Sequence, residues 1–465
     1  MAYGYWKLGL HERDAVFHLI FRKHPFNGNY AVSCGLETIS EFLKNWHFSA
    51  DDIDYLASLT TVNKKHLFTK DFLAYLKKLR FTCDVDAIAE GMIVFPNEPL
   101  LRIQGPLIQG QLLESTLLNF LNFQTLIATK SARVHQAAKG DAVIEFGMRR
   151  AQGADGALSA SRAAYIGGCE ATSNVLAGKL FDIPVRGTHA HSWVTAFPDE
   201  KSAFSAYANV MPHNCVLLVD TFDTLLGVKH AIEVGKELRA HGGELHGIRL
   251  DSGDLAALSI QARLMLDEAG FKNTEIIASN SLDEYRIQQL KNQDAQISVW
   301  GVGTHLVTAY DHPALDGVYK LSAIKNAKNE WDYKLKISED PVKISNPGIH
   351  QVRRFFSDEN YITDVIYDIP QGITETPEII LMDEQHTQKK LANYDAFVDL
   401  LVPVFKKGKY IYPHESIHDI RARAIEQTHQ FIKTHGEKTY PVALFKNLYD
   451  VKQKLISEVT QANSK

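Results

Sequence analysis

The chain has 465 residues, 45% of them hydrophobic and 23% charged, with a formal charge of −5 and a pI near 6.5. This is ordinary for a globular protein of two or three domains, and it excludes a binder of the nucleic-acid backbone, which needs a basic balance. Four scattered cysteines, Cys34, Cys83, Cys169 and Cys215, form neither a disulfide framework nor a zinc spacing.

No apolar run reaches the length of a membrane span, and the opening MAYGYWKLGLHERDAV lacks the basic-then-apolar pattern of a signal peptide. A cytoplasmic protein is expected. Residues 1–125 mix helical patterns (LETISEFLKNW, TKDFLAYLKKLR) with short strand-like runs (MIVF, LLRI). QGQLLESTLLNFLNFQTLIATKSARVHQAAK then reads as one or two long helices, apolar at helical spacing.

From 126 to 317 the pattern is of strand and helix in alternation. NCVLLVDT, GELHGIRLDSGD, TEIIASNS and ISVWGVGTH are short apolar runs ending in small or polar residues, with amphipathic stretches between them. Their ends at Asp220, Asp251, Ser279 and Gly303 stand 31, 28 and 24 residues apart. Such spacing predicts successive β/α units, hence a parallel sheet with chemistry at its strand C-termini, either an α/β barrel or a doubly wound sheet. Residues 318–465 change character: GVYKLSAI and EWDYKLKIS read as antiparallel strands, YITDVIYDI as another, and ESIHDIRARAIEQTHQFIKTHG as an amphipathic helix. This tail is expected to pack beside the N-terminal segment.

Several strand ends carry residues able to do chemistry. EFGMRRAQG places Arg149 and Arg150 after a strand; taken alone, such a pair is surface, although the guanidinium fork suits a carboxylate. GTHAHSWV sets His189 and His191 on one face of an extended segment. HxH is also a metal-hydrolase signature, but the later strand ends bring acids and phosphate-type loops in place of matching ligands. In RLDSGDL, Arg249 and Asp251 alternate onto one face, where Asp251 can hold a ribose diol or Mg2+, or where Asp251 or Ser252 merely caps the next helix. IASNS offers Ser279, Asn280 and Ser281 to a phosphate, with Ser281 alternatively a helix cap. GVGTH offers Gly301, Gly303 and Thr304, which fit a phosphate loop or a tight turn.

Taken together, EFGMRRAQGADGALSASRAAYIGG, SNVLAGKLFDIPVRGTHAHSWV, IRLDSGDL, VWGVGTHLVT and GVYKLSAI resemble, in order and spacing, the nicotinate phosphoribosyltransferases of the type II phosphoribosyltransferase family. FRKHPFNGNY and EPLLRIQGPLIQGQLLESTLLNF extend the resemblance toward the start. It implies an irregular, TIM-like α/β barrel plus an α/β sandwich-like domain built from N-terminal and later segments. It implies ATP-coupled transfer of phosphoribosyl from phosphoribosyl pyrophosphate to nicotinate, in a Mg2+-assisted homodimer. By resemblance His191 accepts a phosphoryl group from ATP, while His189, at a variable position, has no covalent role. Arg149, Ser192 and Phe146 are then expected at the nicotinate; an acidic residue stands at the position of Ser192 in the nicotinamide-using relative. Arg249, Ser279, Asn280, Gly301, Gly303 and Thr304 are expected at the phosphoribosyl group, Asp251 at the ribose hydroxyls or Mg2+, and Arg22 and Lys343 at pyrophosphate. One departure accompanies this. Family members carry a segment like TDLYQLT before the MAYGYW equivalent, with a tyrosine that stacks on nicotinate. The sequence opens at MAYGYW, so that tyrosine is expected to be absent, and one alternative is a homologue impaired by its loss that binds without turnover; a separate alternative is a nicotinamide-using enzyme.

Overall fold

The computed structural model describes residues 1–340, 343–383 and 386–463. The chain divides into two compact units, one of Met1–Leu126, Ala314–Ser416 and Glu426–Lys465, the other of Ile127–Pro313 and Ile417–Ile425.

The second unit carries six parallel strands: β1 (Ala142–Glu145), β2 (Ala171–Thr172), β3 (Cys215–Leu218), β4 (Leu245–Leu250), β5 (Glu275–Ser279) and β6 (Val299–Val302). Their order is β2-β1-β6-β5-β4-β3, and every neighbouring pair is parallel. β2 and β3 are edges, so the sheet is a half-barrel. Helices Thr224–Ala240, Leu255–Glu268 and Glu284–Asn292 join successive strands, as the spacing predicts. One face of the sheet carries Ile144, Ala171, Val216, Ile277 and Val299 as a single apolar cluster. Because all six strands run the same way, their C-terminal residues fall along one rim.

The first unit holds a seven-stranded antiparallel sheet assembled from distant segments. Asp14–Ile20 lies between Val318–Lys325 and Leu101–Pro106, and Asp84–Ile88 pairs with Leu401–Lys406. A second, six-stranded sheet includes His350–Ser357 beside Asn360–Asp368, whose other neighbour, Val442–Phe445, runs parallel to it. Among the described residues no helix is long and apolar enough to cross a membrane.

Buried charge in this unit is paired. Arg354 and Asp364 are both fully buried and joined at 2.6 Å, with Tyr440 donating to Asp364 at 2.9 Å. Glu98 is also fully buried; burial and the adjacent Asp364 push its carboxyl well above the usual range, so it stays neutral. One cation therefore faces one anion. Losing either would leave an uncompensated buried charge.

His18 and His350 stack in the same unit at 4.1 Å, and His18 Nε2 accepts the His350 N–H at 3.1 Å. Burial lowers both, joined at His18 by His350 and then Arg102, and at His350 by Arg102; His350 falls to about 4. Both rings are neutral when folded, whereas the unfolded chain protonates them near pH 6.5. Stability is therefore retained above that pH and lost as pH falls toward 4, by on the order of 3 kcal/mol for His350 alone. The urea midpoint is expected to drop between pH 7 and pH 4.5, and to drop less in His350→Gln. An equal drop in that variant would remove His350 from the account.

Candidate active site

The rim of the half-barrel gathers most of the residues singled out above. Arg249, penultimate in β4, is engaged on all sides. Its Nε donates to Ser279 Oγ at 2.8 Å, Nη1 to Thr188 Oγ1 at 2.9 Å and Nη2 to Asp251 Oδ1 at 2.7 Å. Ser279 also donates to Asp251 Oδ1 through a short hydrogen bond. Burial pushes the Asp251 carboxyl up, but the Ser279 hydroxyl, the Arg249 charge and His191 outweigh it and hold it below the usual range. Asp251 is thus a fixed anion at the strand end.

It caps nothing. Asp254 closes the following helix by accepting from Ala256 and Ala257, so of the two readings of this stretch the cap falls away for Asp251 and Ser252 alike. Ser281 is likewise no cap: Asp283 accepts from the Arg286 N–H at 2.7 Å. Asn280 and Ser281 instead adopt successive left-handed conformations, φ 82° and 52°, and both are exposed. Non-glycine residues seldom take φ in this range. Thr304 follows β6 and Gly303 directly, half-exposed, at the start of a four-residue helix.

The two histidines separate. His189 is buried, its Nε2 accepting the Leu218 N–H at 3.1 Å, and its ring meets Tyr207 edge-on at 4.8 Å. Burial lowers its pKa, so it is a neutral acceptor tying this loop to β3. His191 faces outward, 44% exposed, with Nδ1 3.1 Å from Thr221 Oγ1 and Nε2 3.8 Å from Asp251 Oδ2. Among the described residues no group of three or more His, Cys, Asp or Glu could hold a metal ion by itself. Ser192, next in the chain, is exposed.

At β1, Phe146 is half-buried, its N–H donating to Val302 O at 2.8 Å, with the Arg249 guanidinium 5.5 Å from its ring centroid. Arg149 lies exposed in the short turn Met148–Arg150. A cavity of about 1030 Å3 is lined by Phe146 together with Ile144, Val216, Ile277 and Val299.

Sequence reasoning missed two contributors. Asp220 Oδ2 accepts both the Asp251 N–H at 2.7 Å and the Ser252 hydroxyl at 2.6 Å, while its Oδ1 is buried without a partner. Glu145, fully buried, accepts from Ser161 at 2.9 Å, from Thr172 at 2.6 Å and, in a short bond, from the Gly147 N–H that begins the Arg149 turn. In the first unit, Arg22 has basic company: burial, then the charges of Arg22 and Lys336, lower the half-buried Lys320 ammonium. Lys343 is exposed and pairs with Asp340 in its own turn at 3.1 Å.

Comparison with known proteins gives a consistent picture. Three family models match: the nicotinate phosphoribosyltransferase (NAPRTase) N-terminal domain over residues 1–122, the NAPRTase family over 142–360, and the NAPRTase C-terminal domain over 349–452. The nicotinate phosphoribosyltransferase of Bacillus subtilis is 43% identical over 472 residues, covering 99% of this chain and 94% of the relative. That of Dictyostelium discoideum is 36% identical, covering 97% and 85%. The crystal structure of the human nicotinic acid phosphoribosyltransferase superimposes with a TM-score of 0.86 at 28% identity, covering 98% of each chain. A nicotinate-nucleotide pyrophosphorylase from Pyrococcus furiosus shares the fold, with a TM-score of 0.70 at 21% identity.

Proposed function

Since this chain belongs to the nicotinate phosphoribosyltransferase family and makes nicotinate mononucleotide in NAD salvage, we propose that ATP drives the reaction through a phosphoryl group carried on His191. The observation that carries this is the contrast within HAH: His189 is buried and spent on a backbone N–H, while His191 is exposed beside a fixed carboxylate. A ring nitrogen of His191 attacks the γ-phosphorus, ADP departs, and water later discharges the phosphohistidine as inorganic phosphate.

In the transfer itself, the pyridine nitrogen attacks C1′ of phosphoribosyl pyrophosphate as pyrophosphate leaves. Positive charge grows on the sugar, and the ionised Asp251 lies at the rim to hold the ribose hydroxyls and oppose that charge. Asn280, Gly303 and Thr304 receive the 5′-phosphate at the strand ends, and Ser279, its hydroxyl given to Asp251, holds the rim beside them. Arg249, with three donors committed, is the brace that fixes Asp251 and Ser279 against the ribose phosphate. Arg22, close enough to Lys320 for its charge to be felt there, is the stronger pyrophosphate group, and Lys343 the lesser.

Magnesium fits the donor set. Asp251 Oδ2 carries no hydrogen bond among the described residues and Asp220 Oδ1 is a buried acceptor without a partner. Mg2+ takes one or two carboxylates and completes its shell from substrate phosphates and water. Bound there, it would neutralise charge on the phosphates. We read the half-barrel as part of an irregular TIM-like barrel, and the molecule as a homodimer with sites near the subunit boundary.

Phe146 supplies the face on which nicotinate stacks, and Arg149 the fork for its carboxylate; Ser192 leaves that carboxylate unopposed. Arg149→Ala is expected to raise the KM for nicotinate by about 10- to 100-fold, the range for a lost charged hydrogen-bonding partner, and Arg149→Lys to restore little of it. Steady-state kinetics on both variants check this. An unchanged KM in Arg149→Ala would remove Arg149 from the acceptor site.

A further inference from the structure

We propose that Gly301 is a positioning residue for the acceptor base: by lacking a side chain it sets where the Phe146 ring lies. The inference rests on the reading of Phe146 as the platform for nicotinate. Gly301 sits inside β6, in register with Ser279 of β5 and Ile144 of β1, so its backbone belongs to the ladder. A Cβ at this position would stand 2.6 Å from Phe146 Cδ2 and 2.7 Å from Cε2, but 3.4 Å from Ser279 Cβ, an ordinary contact. Carbon atoms pack at about 3.5–4.0 Å, so the ring can hold its place only while residue 301 has no side chain.

A second neighbour of the ring does not yield with it. Arg249, 5.5 Å from the ring centroid, is braced by Ser279, Thr188 and Asp251. Phe146 itself is half-exposed at a strand end, so a methyl at 301 displaces the ring outward in preference to opening the buried ladder. Gly303 differs: a Cβ there would meet the Phe146 carbonyl oxygen at 3.2 Å, a backbone contact that leaves the ring alone. Of the two glycines in GVGT, only Gly301 therefore bears on the ring.

The test is steady-state kinetics on Gly301→Ala, Phe146→Ala and the double variant, with nicotinate and phosphoribosyl pyrophosphate varied in turn. Gly301→Ala is expected to raise the KM for nicotinate up to about tenfold, the worth of a lost aromatic stack, with kcat and the KM for phosphoribosyl pyrophosphate within about twofold. The double variant is expected to be no worse than Phe146→Ala, because both changes act through one ring. A rise confined to the KM for phosphoribosyl pyrophosphate would assign Gly301 to the phosphate and overturn the proposal, as would unchanged kinetics. Should Gly301→Ala fail to fold, recovery of folding in the double variant supports the contact and its absence overturns it. If Phe146→Ala leaves the KM for nicotinate unchanged, the platform reading itself fails, whatever Gly301→Ala does.

Discussion

His191→Asn is expected to eliminate the phosphoenzyme and with it all stimulation of nicotinate mononucleotide synthesis by ATP, lowering the ATP-dependent rate by on the order of 10²-fold or more. The argument is one of access. His191 begins a short helix, His191–Thr195, at the rim of the half-barrel, and its imidazole is the exposed one of the pair. Asn keeps a polar group near Thr221 without a nucleophilic nitrogen, so folding should be unaffected. His189→Asn is the contrast: it removes the acceptor of the Leu218 N–H and the edge-on contact with Tyr207, so its effect should fall on thermal stability, not on phosphorylation. Incubation with γ-labelled ATP, followed by acid-free separation, reads the difference. Label retained in His191→Asn would move the phosphoryl acceptor elsewhere.

Asp251→Asn is expected to cost about 10²–10³-fold in kcat/KM for phosphoribosyl pyrophosphate, the scale for removing one preorganised electrostatic group. The substitution preserves shape and removes charge. In the native site that charge is stabilised by Ser279 and Arg249, which hold the carboxyl below its usual range. Neutralising it leaves the Arg249 guanidinium without its ionic partner while keeping an oxygen for one hydrogen bond. The KM for nicotinate should change far less, because Phe146 and Arg149 lie just beyond β1, in the segment that follows it. Comparable losses for both substrates, with an unaltered melting point, would mean that Asp251 does not act on the ribose side.

Much of the second unit was legible in its sequence. DSGD, SNS and GVGT each follow a short apolar run at β/α spacing, and all end on one rim. Side chains that act across loops were not legible. Asp220 reads as one more strand-end acid, yet its work is to accept from Asp251 and Ser252 on the next loop. Glu145 reads as the last residue of a strand, and only burial shows it collecting Ser161, Thr172 and Gly147. Which residue caps each helix stayed open in the sequence because several Asp and Ser cluster before each helix and any could cap; geometry selects Asp254 and Asp283. In the first unit, local patterns revealed strands but not partners. Asp14–Ile20 pairs with Val318–Lys325, and Asn360–Asp368 with Val442–Phe445, through contacts too distant in the chain for periodicity to report.

The most direct test of the account is nicotinate mononucleotide formation from nicotinate and phosphoribosyl pyrophosphate, with and without Mg-ATP, and with nicotinamide in parallel. The account predicts product from nicotinate, enhanced by ATP with ADP released, and little from nicotinamide. Product formed equally well without ATP would contradict the phosphohistidine cycle, and equal use of nicotinamide would contradict the assignment of Arg149 and Ser192.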